Sequence, residues 1–294
     1  MRAGSVGLLG WTNVGKSTLL NRLIGQKIAA VADVAQTTRN RIVGVRTDPG
    51  EAQYVFVDTP GIHDPRHRMN RAMVRVARET LRGVDVAVQI VDASRGFGRG
   101  DRTAATWLRE ARVPMVLALN KIDLVRPKTR LLPMLQDAVD AWGFDEVVPI
   151  SALTGDGCER LLGCLRSHLP EAEPMFPEDY LTDQSERSLV AEFVRERLLH
   201  ATREELPHAI AVLVDRWDEG EDDVVRIEVS ILVERESQKP IVIGRDGGVL
   251  RQVGTEARLE LERLLGRRLF LKLWVRVREG WRDDRGTLAD LGLT

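Results

Sequence analysis

Over roughly the first 170 residues, short apolar runs rich in Val, Ile, Leu and Ala alternate with stretches whose apolar positions recur every three or four residues. The runs predict strands at 5–10, 40–46, 52–58, 84–91, 114–120 and 147–150. The periodic stretches predict helices at 16–24, 67–81, 102–111, 131–142 and 157–168. Strands that alternate with helices this way make a mostly parallel, doubly wound α/β sheet with helices on both faces. The pattern then breaks at 170–180, where Pro170, Pro174 and Pro177 fall within eight residues and prevent both helix and central strand. Beyond it the order is helix (185–200), strands (208–215 and 223–234), helix (249–265) and strand (268–278), a small α+β arrangement. The predicted organisation is therefore a first domain at 1–170, a linker at 171–184 and a second domain at 185–294, without internal repeats.

Composition narrows the class without naming a function. With 294 residues, 43% hydrophobic, 30% charged and a net charge of −1, the chain is neither a disordered tail nor a disulfide-stapled miniprotein. No apolar run approaches the roughly 18 residues of a membrane span, and the first eleven residues hold too short an apolar stretch for a secretory signal, so a cytosolic protein is expected. Cys158 and Cys164 lie six apart with no histidine arranged as a partner, which predicts reduced thiols rather than a metal site.

Chemistry enters at Gly10-Trp11-Thr12-Asn13-Val14-Gly15-Lys16-Ser17, which fits G-x-x-x-x-G-K-[ST] between a predicted strand and a predicted helix. Backbone N–H groups from Asn13, Val14, Gly15, Lys16, Ser17 and Thr18 can turn toward phosphate oxygens at the helix start. Lys16 reaches the β- and γ-phosphates, and the Ser17 hydroxyl can ligate Mg²⁺. Asp58-Thr59-Pro60-Gly61 closes the third strand, placing a carboxylate for the metal's hydration shell and a Gly61 N–H that senses a γ-phosphate. Asn120-Lys121-Ile122-Asp123 follows the fifth strand. A carboxylate there accepts from guanine N1–H and N2–H₂, which adenine lacks, and an unpaired acceptor rejects ATP. Lys121 lays its stem over the base, and Asn120 ties this loop to the phosphate loop. Ser151-Ala152-Leu153 brings the Ala152 N–H toward guanine O6. Each stretch alone is compatible with an ordinary polar turn; it is their order on successive strand ends that carries the reading.

These four motifs resemble those of translation-factor-like GTPases, and Gln36-Thr37-Thr38-Arg39 resembles the family's first switch. The resemblance implies that Thr38 closes on Mg²⁺ and the γ-phosphate, with Thr37 the competing candidate. Lys16, Thr38 and Gly61 would then serve catalysis, and Ser17, Thr38 and Asp58 the metal. Ile62 stands where Ras-like enzymes carry a water-orienting glutamine, so slow intrinsic hydrolysis is expected; His63 reads as a surface loop histidine rather than a base. Asn13 resembles the asparagine with which some relatives hold K⁺ in place of an arginine finger.

In the second domain, Gly244-Arg245-Asp246-Gly247 is a G-x-x-G, followed by Gly248 and the helix that carries Arg251. Such glycines admit a sugar-phosphate backbone, with phosphate facing the helix start. Residues 235–278 hold eleven Lys/Arg against five Asp/Glu, while residues 215–223 hold six Asp/Glu against one Arg, so charge is segregated. Solvated i,i+4 pairs such as Arg258 with Glu262 are the competing account of these arginines. Together with Glu205-Leu206-Pro207-His208, the stretch from Val233 to Gly244 and Leu273-Trp274-Val275-Arg276-Val277-Arg278, the whole chain is similar to the Era family of bacterial GTPases. That resemblance implies a P-loop GTPase domain using GTP/GDP and Mg²⁺, followed by a type II KH domain. It further implies a cytoplasmic monomer, open to peripheral contact with the inner membrane, that binds the 3′ end of small-subunit ribosomal RNA and assists 30S assembly under nucleotide gating. A non-catalytic RNA-binding assembly factor, or a GTPase acting on another RNA or a membrane partner, are the alternatives. Two departures stand out: Thr12 replaces a usual proline, and Asp246 occupies a position where a basic residue is common. Either Arg245 and Arg251 carry the backbone contacts or RNA affinity is weaker.

Overall fold

A computed structural model describes residues 1–32, 38–61, 67–140, 142–202, 206–220 and 223–293. The described contacts divide the chain into two compact units, one built mainly on Met1–Ala29 and Asn70–Asp183, the other mainly on Gln184–Thr294.

In the first unit, β1 (Arg2–Gly10), β2 (Ile42–Asp48), β3 (Ala52–Asp58), β4 (Val86–Asp92), β5 (Met115–Asn120) and β6 (Glu146–Pro149) form one sheet in the order β2-β3-β1-β4-β5-β6. All neighbouring pairs are parallel except β2 and β3, which are antiparallel. That exception follows from chain length: only three residues join Asp48 to Ala52, too few for the crossover a parallel pair needs. Helices α1 (Lys16–Ile24), α2 (Arg68–Thr80), α3 (Arg99–Ala111), α4 (Leu131–Asp140) and α5 (Cys158–His168) complete the winding. The central strands are buried on both faces, as β3 and β4 show by having every residue buried. One core cluster joins Leu8, Leu20, Phe56 and Leu165; the other joins Leu9, Leu108, Leu117 and Phe144. Connections from β1 diverge to β3 on one side and β4 on the other, so the crevice beyond its carboxyl end is the switch point where such sheets hold ligands.

The proline-bearing stretch lies along the β2–β3 edge. Gln53 accepts from the backbone N–H of Met175 and Phe176, at 2.7 and 3.0 Å, and donates to the Phe176 carbonyl at 2.8 Å. Phe176 and Tyr180 stack with centroids 4.7 Å apart against Val43, Val45 and Val55.

The second unit comprises α6 (Glu186–Ala201), α7 (Leu206–Ala209), β7 (Ala211–Asp218), β8 (Val224–Val233), α8 (Lys239–Ile243), α9 (Gly248–Leu265), β9 (Arg268–Val277) and α10 (Arg285–Asp290). Its sheet runs β7-β8-β9, with β7 antiparallel and β9 parallel to β8. Phe193, Leu198, Ile227, Ile231 and Leu261 are at the centre of its core. The expected strand at 208–215 is corrected: 206–209 form a helical turn and the strand begins at Ala211. A proline in the first turn of a helix loses no hydrogen bond there, which is why the proline did not mark a strand start.

Candidate nucleotide-binding site

The loop from Gly10 to Ser17 leaves β1 at the switch point and enters α1. Two of its glycines are required by close approach. A Cβ on Gly10 would stand 2.5 Å from the Ile90 carbonyl oxygen, and one on Gly15, where φ is 96°, would stand 2.4 Å from Asn120 Nδ2. Asn13 is also left-handed, at φ 61°. Lys16 is buried and arches over the loop, its Nζ donating to the carbonyls of Gly10 and Trp11 at 3.2 and 2.9 Å. Burial pulls its amine down to about 8 despite the opposing charges of Asp58 and Asp101.

At the start of α1 lies a cluster of oxygen donors. Ser17 Oγ is 2.6 Å from Thr38 Oγ1 and donates to Asp58 Oδ2 at 2.9 Å; Thr38 Oγ1 donates to the same oxygen at 3.3 Å. Asp58 Oδ1 is buried without a hydrogen-bond partner among the described residues. Burial raises the Asp58 carboxyl to about 6, with Lys16 and the two hydroxyls pulling the other way. Two hydroxyls around a carboxylate with an unsatisfied oxygen are a hard-cation donor set, and they fit Mg²⁺. Gly61 sits over the phosphate loop: a Cβ there would be 3.2 Å from Lys16 Nζ and 3.0 Å from Thr12 Cγ2. Thr12 thus packs beneath Gly61, a contact its place in the motif did not reveal. Gln36, Thr37, Ile62 and His63 lie outside the described residues.

The base-side loop starts where β5 ends, at Asn120. Asn120 Nδ2 donates to the Val14 carbonyl at 2.8 Å, and its Oδ1 accepts from the Ala152 N–H at 2.9 Å, joining three of the predicted motifs through one buried side chain. Lys121 Nζ donates to the Asn13 carbonyl at 2.7 Å and pairs with Asp92 at 2.8 Å. Burial pushes the Asp92 carboxyl up, but hydrogen bonds from Lys121 and Ser94 outweigh it and hold the group below its usual range. Asp123 Oδ1 is buried with no partner among the described residues. Ser151 is buried and its Oγ accepts from the Thr154 N–H at 3.2 Å; Thr18 is half-buried on α1; the Leu153 side chain is exposed while its carbonyl accepts from Arg22. Lys16 and Asp123 are therefore served by loops bonded to each other on one sheet edge.

Two contributors escaped the motif reading. Asp92 ends an apolar strand as Asp58 does, and the same signal would have found it. Trp11 packs so closely on α3 that a Cβ on Gly100 would come within 2.0 Å of its ring; a glycine in a first helical turn was the available clue.

In the second unit, Gly244 has φ 74° and a Cβ there would fall 2.5 Å from Val249 Cγ2 and 2.8 Å from the Val249 nitrogen. Gly247 is left-handed at φ 72°, and Asp246 takes φ 51°, a region that Asp tolerates better than most side chains. Arg245, Asp246, Gly248 and Arg251 are exposed, and Arg251 reaches the Asp246 carbonyl at 3.5 Å. Several arginines of the basic stretch are paired, Arg258 with Glu262 at 2.8 Å and Arg276 with Asp215 at 3.4 Å, whereas Arg245 has no carboxylate partner among the described residues. On β9, Phe270 and Trp274 are exposed and Lys272 Nζ stands 4.7 Å over the Trp274 ring. The period-two alternation of aromatic and basic residues from 268 to 276 was the signal for that stripe.

Comparison with known proteins agrees with this geometry. A family model described as 50S ribosome-binding GTPase matches residues 5–121, and a KH domain model matches residues 205–282. A crystal structure of an Aquifex aeolicus Era variant bound to GDP and AlF₄⁻ is 39% identical, each chain covering 100% of the other, with a TM-score of 0.97. A structure of Era in complex with MgGDPNP and nucleotides 1506–1542 of 16S ribosomal RNA is also 39% identical, covering 100% of this chain and 99% of that one, with a TM-score of 0.97. The chain belongs to the Era family. Its fold is accordingly the Era-family one, a P-loop GTPase domain with a mostly parallel sheet followed by a KH domain.

Proposed function

We propose that this Era-family protein binds and hydrolyses GTP and that its KH domain engages single-stranded RNA at the 3′ end of small-subunit ribosomal RNA during 30S assembly. The observation that carries the nucleotide half is the pair of hydrogen bonds from Asn120, which set the Asp123 loop and the Lys16 loop side by side. Asp123 presents a buried acceptor to guanine N1–H and N2–H₂, and ATP would leave it unpaired. Lys16 exchanges its two loop carbonyls for phosphate oxygens and stabilises the charge that grows as the γ-phosphoryl departs. Thr38 and Gly61 order around the γ-phosphate and relax on its loss. Ser17, Thr38 and Asp58 are the residues that would hold Mg²⁺, which when bound would supply neutralisation of phosphate charge. Asn13 is assigned to K⁺, and equal GTPase rates in KCl and NaCl would remove that assignment.

The RNA half is supported by the positive-φ loop at Gly244–Gly247 ahead of α9, exposed at Arg245 and Asp246, and by the 39% identity to Era structures. Gly248, Arg245 and Arg251 present a helix start and two cations to the sugar-phosphate backbone, and Arg245 offsets the charge of Asp246. In this scheme the protein acts as a cytoplasmic monomer. Any attachment to the inner membrane is peripheral, since no helix among the described residues is long and apolar enough to cross one.

Gating is reciprocal: the nucleotide that strengthens RNA binding is itself held more tightly when RNA is present. GTP turnover titrated with a short single strand from the ribosomal RNA 3′ end tests the whole scheme, and turnover is expected to rise. Absence of turnover with and without RNA would leave a non-catalytic assembly factor. Equal RNA affinity with GDP and a non-hydrolysable GTP analogue would remove the gating.

A further inference from the structure

α5 ends at His168, and Cys164 lies one turn before it, so both side chains leave the same helix face. β6 opens with Glu146. The Cys164 thiol sulfur, an imidazole nitrogen of His168 and a carboxylate oxygen of Glu146 all lie within 4.8 Å of one another. The sequence expectation that no histidine partners a cysteine is thereby corrected; the four-residue helical spacing was the missed signal.

The three groups do not satisfy each other. Nε2 of His168 is buried without a hydrogen-bond partner among the described residues. Both thiols are free. A cation among the three atoms would pair the imidazole nitrogen and take the thiol sulfur and the Glu146 carboxylate as further ligands. The carboxyl end of α5 adds its negative dipole at the same place. Tetrahedral bonds of about 2.0–2.3 Å set ligand atoms roughly 3.3–3.8 Å apart, which side-chain rotation reaches from the present spacing. Thiolate with imidazole selects zinc-like ions over Mg²⁺ and Ca²⁺.

We propose that Glu146, Cys164 and His168 form a Zn²⁺ site with one position open to water, fastening the edge strand β6 to α5. It is distinct from the nucleotide site, because it sits at the amino end of β6 whereas the Ser151 loop follows the carboxyl end. Binding forms a sulfur–zinc bond and releases the Cys164 proton to solvent.

The test uses the full chain with GDP and excess Mg²⁺, which keep the oxygen-donor site filled, and titrates Co²⁺ followed by Zn²⁺. One equivalent of Co²⁺ is expected to give sulfur-to-metal charge transfer and the d–d bands of a tetrahedral ion, both displaced by Zn²⁺. Cys164→Ser should abolish the charge transfer and Cys158→Ser should leave it intact. His168→Gln should keep the band and weaken affinity at least tenfold, giving a second variant should the serine substitution disturb folding. Zn²⁺ should raise the melting temperature of the wild type and not of Cys164→Ser. A wild-type protein without the sulfur band, an unchanged band in Cys164→Ser, or His168→Gln with wild-type affinity would overturn the site.

Discussion

Asn120→Asp keeps the side-chain shape and removes one donor, at a position only 2% exposed. In the wild type Nδ2 donates to the Val14 carbonyl at 2.8 Å; in the variant a carboxylate oxygen would face that carbonyl at the same separation. The bond to the Ala152 N–H, 2.9 Å from Oδ1, survives. Leaving the Val14 carbonyl unpaired costs about 1–3 kcal/mol, and burying a charge against it adds more, so a penalty of about 3 kcal/mol falls on the junction between the two loops. Space for escape is small, because the neighbouring amide already excludes a Cβ on Gly15. If nucleotide binding requires that junction, 3 kcal/mol corresponds to roughly a hundredfold loss of GDP affinity. Displacement of a fluorescent GDP analogue measures it, alongside a urea midpoint that separates local from global damage. Preference for guanine over adenine should persist, since Asp123 is untouched. Asn120→Asp with GDP affinity within threefold of wild type and an unchanged midpoint would refute the junction as the device that aligns the site.

Asp123→Asn exchanges acceptor for donor and should shift preference from GTP toward the xanthine nucleotide by a hundredfold or more, measured by competition; unchanged GTP preference would refute the base-reading assignment. The nucleotide-free protein should show a pH signature of Asp58: its folded pKa of about 6 lies above the ordinary 3.8, so its contribution is complete below pH 3.8 and is lost as pH rises through 6, by about 3 kcal/mol at most. Asp58→Asn should flatten that part of the stability curve, and parallel curves for the two proteins would refute it. Gly100→Ala drives a methyl into the Trp11 ring and should cost about 1–3 kcal/mol in urea while lowering nucleotide affinity; a neutral outcome would show that the ring moves aside freely. Gly244→Ala meets Val249 at 2.5 Å in a left-handed conformation, and should abolish single-strand RNA binding in filter assays while GTP turnover without RNA persists.

Much of the first unit was legible because its strands are buried on both faces and therefore read as unbroken apolar runs. Strands β3 and β5 coincide with the predicted runs to within one residue. The α1 start was legible because Gly15 takes a conformation few other residues tolerate, immediately before a helical period. The hairpin of β2 and β3 was visible only as two runs; their antiparallel pairing depends on the brevity of the turn. In the second unit the helical turn at 206–209 and the short α8 were missed because neither is long enough to display a period.

The same distinction separates the groups found in the sequence from those it concealed. A phosphate loop or a base-reading loop is made by consecutive residues at one strand end, so its chemistry is written in order. Asp92 meets Lys121 only because β4 and β5 pair in register, Asp92 opposite Asn120. Glu146 meets Cys164 and His168 only because α5 folds back along β6. In each case one partner is an unremarkable acid at a strand terminus, and its meaning is set by which element the sheet order places beside it. A search of sequence for strand-terminal carboxylates, paired with cations or helix-spaced Cys and His on the next element in the fold, would have exposed both clusters. Such a search needs the strand order first, which the alternation of elements supplies for a doubly wound sheet once the phosphate loop has fixed the central strand.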